Sequence, residues 1–162
     1  MYWKEILMRR KDRLVSEFNE LIDIIKRCDV CRLGINDEEV PYILPLNFGM
    51  SVEDDKLYLY FHGATEGYKY SLLEKNNHVS FEMDCDHELY SDKERGYCTM
   101  NYSSVMGRGK VEIVEDVDEK IKALTILTDN YHEVHFEFNP AAVSRTTVMK
   151  LTVESMTGKQ KG

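Results

Sequence analysis

Hydrophobic positions recur along the chain with two different spacings, and the wider spacing predicts three helices. From Ser16 to about Arg27 the apolar residues Phe18, Leu21, Ile22 and Ile25 fall at i, i+3, i+4 and i+7, which is the spacing of one helix face, and Ser16 is the predicted N-cap. Segments 66–75 and 116–131 have similar periodicity, and Thr65 is the predicted N-cap of the second helix. These helices interrupt a chain whose other segments have strand patterns.

Strands are predicted where polar and apolar residues alternate, or where an apolar run lies between turn residues. In chain order the predicted strands are 30–35, 42–50, 56–61, 78–84, 102–115 and 148–156. The first three follow one another through short turns, which predicts an antiparallel meander. Residues 86–99 are mostly polar and are predicted to form a long irregular excursion.

Three residues predict irregularities in this sheet. Pro45 cannot donate a ladder hydrogen bond, so its strand should be irregular there or lie at an edge. Gly107 and Gly109, inside a long strand, predict a bend or a bulge. Long antiparallel runs with such kinks favour a closed or split barrel over a flat sheet. We therefore predict an α+β fold, an antiparallel split β-barrel with flanking helices.

Composition and charge narrow the class of protein. The 162 residues are 43% hydrophobic and 31% charged, which predicts one globular domain over 1–162, with 1–12 as a flexible N-terminal segment. The net charge is −8 and no basic face stands out, so we expect no nucleic-acid partner. We read no secretion signal and no membrane-spanning run, so we predict a cytoplasmic protein without a membrane partner.

The four cysteines are predicted to be reduced rather than to hold a metal. Cys28 and Cys31 have CxxC spacing, but a structural zinc needs a second pair at matching spacing. Cys85 and His87 could supply two further ligands, so a zinc site stays open as the less favoured alternative.

The segment HGATEGYK, at 62–69, predicts an anion site between a strand and a helix. Its two glycines permit close backbone approach, and the helix start offers free N–H groups. Lys69 supplies a positive charge and His62 a further donor or acceptor, whereas Glu66 would repel an anion. The alternative is a capped helix after a turn, with the lysine in solvent.

The segment YILPLNFG, at 42–49, predicts a surface for a flat heteroaromatic ring. Pro45 interrupts the strand and leaves backbone groups without ladder partners, which such a ring can use. Leu46 and Phe48 would cover the ring, and Asn47 can both donate and accept. The alternative is an edge strand that a proline protects from aggregation.

These segments together resemble a known family. Segments 31–49, 57–84, 102–124 and 151–159 resemble, in order and spacing, the nitroimidazole-resistance branch of the pyridoxamine 5′-phosphate oxidase-like flavoproteins. The resemblance extends from about Met8 to Lys159. It implies a split β-barrel homodimer with FMN bound at the subunit interface, so the predicted anion is the FMN phosphate.

The resemblance also implies roles for particular residues. It assigns the FMN phosphate to His62, Gly63, Ala64 and Lys69, and the isoalloxazine ring to Pro45, Leu46, Asn47 and Phe48. Arg32 is expected to reach the phosphate or the ribityl chain. The second subunit is expected to offer Ser103 and Ser104, and Lys159 to close the site.

The predicted function is that of an FMN-dependent oxidoreductase. It would pass electrons from a reduced nicotinamide or another donor to a small acceptor, such as a nitro compound. His62 is the candidate proton donor, with Tyr102 as a second. The phosphate loop keeps only one lysine, and the family's C-terminal arginines are missing, which argues against oxidation of vitamin B6. The alternative function is a non-catalytic flavin carrier, store or redox sensor.

Overall fold

The computed structural model describes residues 10–134 and 138–162. Its helices are α1 (Phe18–Arg27), α2 (Tyr68–Lys75), α3 (Val117–Asp129) and α4 (Pro140–Ser144), preceded by a short 3-10 turn at Lys11–Arg13. Its strands are β1 (Leu14–Val15), β2 (Cys31–Ile35), β3 (Tyr42–Leu46), β4 (Gly49–Glu53), β5 (Lys56–Ala64), β6 (His78–Asp92), β7 (Tyr97–Ile113) and β8 (Thr146–Lys161). Most of the predicted flexible segment lies outside the described residues.

The strands form one antiparallel sheet in the order β3-β2-β6-β7-β8-β5-β4, and β1 pairs with β8. Strands β3 and β4 stand at opposite ends of this order, although only Asn47 and Phe48 separate them in the chain. Two linking residues span roughly 10 Å at most, so the two edges of the sheet must curl toward each other. This topology confirms the predicted split barrel. The predicted meander is wrong, because segment 42–50 divides into two strands on opposite edges.

The predicted irregular excursion at 86–99 is instead a long β-ribbon. Strands β6 and β7 pair from His78 to Asp92, with a bulge between Cys85 and Glu88. Beyond the bulge most side chains on both faces of the ribbon are exposed, among them Leu89 and Tyr90. The alternation of buried and exposed residues that marks a strand is therefore missing there, which explains the wrong prediction.

The predicted irregularities of the sheet are confirmed. Pro45 lies on edge strand β3, which pairs only with β2. The register between β7 and β8 shifts between Arg108 and Gly109, where a Cβ would overlap the Thr152 carbonyl oxygen. A glycine is needed at this bulge because the backbones approach so closely.

The hydrophobic core fills the barrel and extends under two helices. The large fully buried side chains include Phe61, Leu33 and Met149, and α1 and α2 add Ile25 and Leu72. A second cluster on the outer side of β5 and β8 lies beneath α3 and α4 and contains Tyr60, Val114, Ala123, Leu124, Val143 and Val148. None of the helices within the described ranges is both long enough and apolar enough to cross a bilayer.

Helix starts differ from the prediction at two of three places. Helix α1 begins after Glu17 rather than after Ser16, and α2 begins after Gly67 rather than after Thr65. Neither N-cap residue caps through its side chain. By contrast, the Asp116 carboxylate accepts a 2.9 Å hydrogen bond from the Glu119 N–H at the start of α3. The late start of α2 lengthens the loop that follows β5.

Candidate functional site

The loop between β5 and α2 folds back so that an ammonium group lies over its backbone. A Cβ built on Gly63 would stand 3.1 Å from Lys69 Nζ and 2.8 Å from the Tyr70 hydroxyl oxygen. A Cβ on Gly67 would stand 3.4 Å from the same Nζ. Gly63, at the end of β5, and Gly67, in the loop, therefore line a cradle around one positive charge.

Tyr70 fixes this arrangement, although the sequence reading did not select it. Its hydroxyl donates a 2.7 Å hydrogen bond to the Ala64 carbonyl oxygen, and Lys69 Nζ lies 4.4 Å from the centre of its ring. A cation over an aromatic face is attracted by the ring quadrupole. The ring thus holds the ammonium close to Gly63. A tyrosine directly after the loop lysine was the available signal.

Among the described residues, no carboxylate neutralises the charge of Lys69. Within residues 10–134 and 138–162 no ion pair involves Lys69. The first turn of α2 contains no acidic residue and has no side-chain cap, so its N–H groups add positive potential at the loop. An ammonium at a helix start is suited to bind an anion such as a phosphate.

An aromatic contact places this loop next to strand β3. The rings of Tyr42 and Tyr68 meet edge to face, with centroids 5.6 Å apart. The Tyr68 hydroxyl also donates a 2.9 Å hydrogen bond to Asp37, and this bond raises the pKa of Tyr68. Tyr42 begins the strand that leads to Pro45, so the predicted phosphate loop and the predicted ring strand adjoin.

Three of the four predicted ring residues are at least partly exposed, at the end of β3 or directly after it. Pro45 and Asn47 are exposed and Leu46 is half-buried. Phe48 is different, because its side chain is fully buried in the core. The Phe48 N–H donates to the Tyr131 hydroxyl at 3.0 Å, and its carbonyl accepts from Asn130 at 3.1 Å. The geometry therefore does not support Phe48 as a cover for the ring.

His62 lies apart from the lysine cradle. Adjacent side chains of a strand point to opposite faces, and the Cβ direction of Gly63 leads toward Lys69. The exposed His62 side chain therefore points to the other face of β5, where its register partner is Val148 of the second cluster. The structure does not bring the imidazole and the Lys69 ammonium together.

Three further predicted residues, Arg32, Ser104 and Lys159, share one outer sheet face with Pro45. Arg32 stands opposite Pro45 on one side and opposite Glu82 on the other. Two residues further along β6 from Glu82, Asp84 pairs with Ser104 of β7, which in turn pairs with Lys159 of β8. Because residues of one cross-strand row share a face, these side chains lie on the outside of the barrel, and we call this surface the outer face.

Arg32 is occupied by carboxylates rather than free for a phosphate. Its Nη1 lies 3.1 Å from Glu82 Oε2 and also contacts Asp84 Oδ1. Burial, followed by the charge of Asp84, raises the pKa of Glu82. A phosphate at Arg32 would face two carboxyl groups, so the geometry does not support the predicted phosphate contact.

The two predicted serines have opposite orientations. Ser103 is buried, with 1% of its surface exposed, and stands opposite Cys85. Its hydroxyl has no hydrogen-bond partner among the described residues. Ser104 lies on the outer face and remains available to a ligand or a second subunit.

The cysteines do not form a metal site in the described part of the chain. No group of three or more histidine, cysteine or acidic side chains is arranged to hold an ion there. Cys28, Cys31 and Cys85 are buried, and burial raises the pKa of all three thiols. His87, the remaining candidate ligand, contacts Asp84.

The site residues thus form two sets within one chain. One set, which we call the loop set, flanks the β5–α2 loop and contains Gly63 and Ala64 at the end of β5 and Lys69 in the first turn of α2. Tyr42 connects this set to the edge strand. The outer-face set contains Arg32, Pro45, Ser104 and Lys159. No hydrogen bond or ion pair joins the loop residues to Ser104 or Lys159 within the described ranges.

Solved structures with the same fold include flavoproteins of low sequence identity and a protein of higher sequence identity. A protein from Bacteroides thetaiotaomicron VPI-5482, described as a candidate 5-nitroimidazole antibiotic resistance protein, is 36% identical over 90% of this chain and 85% of its own, with a TM-score of 0.79. The flavocytochrome Anf3 of Azotobacter vinelandii is 19% identical over 96% of this chain and 72% of its own, with a TM-score of 0.79. An FAD and haem binding protein of Mycobacterium smegmatis is 17% identical over 92% and 73%, with a TM-score of 0.77.

Of two sequence comparisons, one identifies a family and the other finds no match. A search of curated proteins finds no match. The family model described as pyridoxamine 5′-phosphate oxidase matches residues 17–160, which is nearly the whole chain. Together with the split-barrel topology, this match shows that the chain belongs to the pyridoxamine 5′-phosphate oxidase family.

Proposed function

We propose that the protein is an FMN-dependent oxidoreductase that passes electrons from a reduced nicotinamide or another donor to a small acceptor such as a nitro compound. The observation that carries the proposal is the Lys69 cradle, where an ammonium that forms no ion pair within the described part of the chain lies over glycine backbone at a helix start. When bound, FMN would supply a ring that accepts and releases a hydride. The fit is favourable because the cradle offers a cation, free N–H groups and no Cβ in the way.

Particular residues would hold the cofactor. Lys69 and the backbone of Gly63 and Ala64 would bind the phosphate. Pro45, Leu46 and Asn47 would lie along the ring, because Tyr42 and Tyr68 join their strand to the phosphate loop. The relatives that are described as a flavocytochrome and as an FAD binding protein support a flavin in this fold.

The nature of the acceptor is supported by one relative. The protein from Bacteroides thetaiotaomicron, described as a candidate 5-nitroimidazole antibiotic resistance protein, covers 90% of this chain at 36% identity. A nitro compound is therefore the first acceptor to test. Because this assignment comes from a relative, the reaction is part of our proposal.

We further propose that two copies complete the site as a homodimer. The outer face exposes apolar side chains, with Ile43 64% and Met106 60% exposed, in the same surface as Ser104 and Lys159. A second copy that covers this face would bury these side chains and could bring Ser104 and Lys159 to the loop set of its partner. An exposed apolar patch rimmed by polar groups is typical of an interaction surface.

The first experiment is an absorbance spectrum of the purified protein, repeated after addition of FMN and then of NADH or NADPH without oxygen. Flavin bands that bleach with a nicotinamide and return with a nitroaromatic acceptor would support the oxidoreductase. Bound flavin that no tested donor reduces would favour the carrier, store or sensor. If the protein binds no flavin, the proposal fails.

A second experiment tests the shared site. Met106→Glu places a charge on the outer face beside Glu82, so we expect a monomer that no longer retains FMN. Val117→Glu, at an exposed position at the start of α3, is the matched control and should remain a dimer. Light scattering with a flavin titration measures both properties. A monomeric variant that still binds FMN as tightly as the parent would contradict the shared site.

A further inference from the structure

The bulge in β6 brings a histidine onto a carboxylate of the outer face. Cys85 pairs with Ser103 and Glu88 pairs with Asn101, so two residues of β6 stand opposite one residue of β7. One of the two is Asp86, whose φ of 58° lies in the left-handed region. The bulge turns His87 back along the strand, and its Nε2 lies 2.7 Å from Asp84 Oδ2.

Asp84 is itself held in place from the other side. Arg32 contacts Oδ1 of Asp84, while His87 contacts Oδ2, so the three side chains form a chain across β2 and β6. A carboxylate that receives the Nε2 proton leaves Nδ1 as the nitrogen of His87 that can exchange protons with other molecules. Half of the His87 side chain is exposed, so water can reach it.

The linked side chains of Arg32, Asp84 and His87 lie on the same surface as residues of the proposed site. Arg32 stands beside Pro45 on the outer face, and Ser104 stands beside Asp84. His87 therefore extends from the surface that, in the proposed homodimer, meets the flavin and the second subunit. His62, which the sequence suggested as the proton donor, points to the opposite face of β5 from the lysine cradle.

We propose that His87 is the acid that protonates the acceptor, with Asp84 as its positioning residue; this inference rests on the proposed oxidoreductase function. Reduction of an aryl nitro group to a nitroso group and water takes up two electrons and two protons. Bound FMN, once reduced, would supply both electrons and one proton as a hydride. The imidazolium of His87 gives the other proton from Nδ1, and the N–O bond breaks as water leaves. Neutral His87 keeps its Nε2 proton toward Asp84 and regains a proton from solvent.

The first test separates proton delivery from electron delivery. The flavin-loaded dimer is reduced with dithionite, so no nicotinamide is needed, and its reoxidation is followed with a nitroaromatic or with ferricyanide. Ferricyanide accepts electrons without protons. We expect His87→Gln to slow the nitroaromatic reaction about 100-fold, at the lower end of general acid catalysis, and to leave the ferricyanide reaction unchanged. His78→Gln, an exposed histidine at the start of the same strand, should change neither reaction.

The outcomes of this test distinguish two failures. If the chain binds no flavin, both the proposed function and the role of His87 fail. If flavin binds and is reduced, but His87→Gln reacts with the nitroaromatic at the parent rate, only the role of His87 fails. Equal slowing with both acceptors would also overturn the role, because it would indicate damage to the flavin site.

The second test needs neither cofactor nor turnover. Long-range 1H–15N spectra of the histidine rings report which nitrogen carries the proton. We expect neutral His87 to be the Nε2–H tautomer in the parent protein and a mixture of tautomers in Asp84→Ala. A mixture in the parent protein would overturn the positioning role of Asp84. A defined Nε2–H tautomer that persists in Asp84→Ala would do the same.

Discussion

Lys69 was predicted to bind the FMN phosphate and Arg32 to reach the phosphate or the ribityl chain, but the fold surrounds these two basic residues differently. Lys69 lies over an aromatic ring and glycine backbone at a helix start. Arg32 lies between Glu82 and Asp84 on the outer face. One cation therefore retains positive potential for a ligand, whereas the other is neutralised by its own sheet.

This comparison shows that the groups around a charged side chain determine whether it can bind an anionic ligand. An arginine that already forms ion pairs with two carboxylates would have to exchange them for the phosphate and leave both acids unpaired. A lysine with an aromatic neighbour alone gains its first anionic partner when the phosphate binds. The β5–α2 loop is thus arranged for ligand binding, whereas Arg32 holds the Glu82 and Asp84 side chains in place on the outer face.

The largest expected effect on the cofactor comes from Lys69→Ala. Loss of a charge-assisted hydrogen bond should weaken FMN binding by roughly 1.5–3 kcal/mol, which is about 10- to 150-fold. Lys75→Ala, in the last turn of the same helix, is the matched control and should bind FMN like the parent. Fluorescence titration measures both dissociation constants. An unchanged constant for Lys69→Ala would remove this residue from the site.

A smaller effect is expected from a methyl group in the cradle. Gly63→Ala would place its Cβ 2.8 Å from the Tyr70 hydroxyl oxygen and 3.1 Å from Lys69 Nζ, so both side chains must shift. We expect FMN affinity to fall about tenfold, equivalent to about 1.4 kcal/mol. Gly34→Ala is the control from the Arg32 strand, because its Cβ would meet only the Ser80 carbonyl oxygen at 3.6 Å. Equal losses of FMN affinity in the two variants would show that a methyl group at Gly63 has no specific effect on the FMN site.

The sequence predicted the loop better than the outer face, and the reason is the range of the interactions. The glycines, the helix start and Lys69 are close neighbours in the chain, so local pattern revealed them. The pairing of Arg32 with Asp84 joins residues that are far apart in sequence and depends on the register of β2 against β6. No local pattern specifies such a register.

The same limit applies to the buried candidates. Ser103 and Ser104 are adjacent residues of the same type, so the sequence does not distinguish them. Only the pairing of β7 with β6 shows that the Ser103 side chain points into the core. Phe48 was expected at a ligand surface because it follows Pro45 and Leu46. The chain crosses there from one edge of the barrel to the other, and the ring enters the core. Likewise, the exposed ribbon beyond Cys85 lacks the burial pattern from which a strand is recognised.

Arg32→Ala should affect stability more than cofactor binding. The variant leaves Glu82 and Asp84 close together without a cation, which should cost about 1 kcal/mol of the free energy of unfolding, at the upper end for partly exposed pairs. FMN affinity should change less than in Lys69→Ala. Urea denaturation and FMN titration check these two expectations. A loss of FMN as large as that of Lys69→Ala would show that Arg32 reaches the phosphate after all, from its own subunit or from the partner.

The smallest expected effect is a pH dependence at the bulge beside His87. Arg27 holds Asp86 through hydrogen bonds of 2.9 and 3.1 Å, and this pairing lowers the pKa of Asp86 from 3.8 to about 2. A carboxylate whose pKa is lower in the folded state stabilises the fold above its unfolded pKa. That stabilisation is lost as the pH falls from about 4 to about 2. Both side chains are more than 40% exposed, so solvent screening limits it to about 0.5 kcal/mol.

Asp86→Asn isolates this contribution. Asparagine also tolerates the left-handed backbone at this position, so the substitution removes the charge without adding strain. Asp12, whose pKa is likewise lowered to about 2 by Arg10, remains in both proteins and cancels in the difference. Urea denaturation at pH 5 and at successively lower pH values should show the parent more stable at pH 5 and the two proteins converging toward pH 2. Parallel curves over this range would mean that the Arg27–Asp86 pair does not persist in solution.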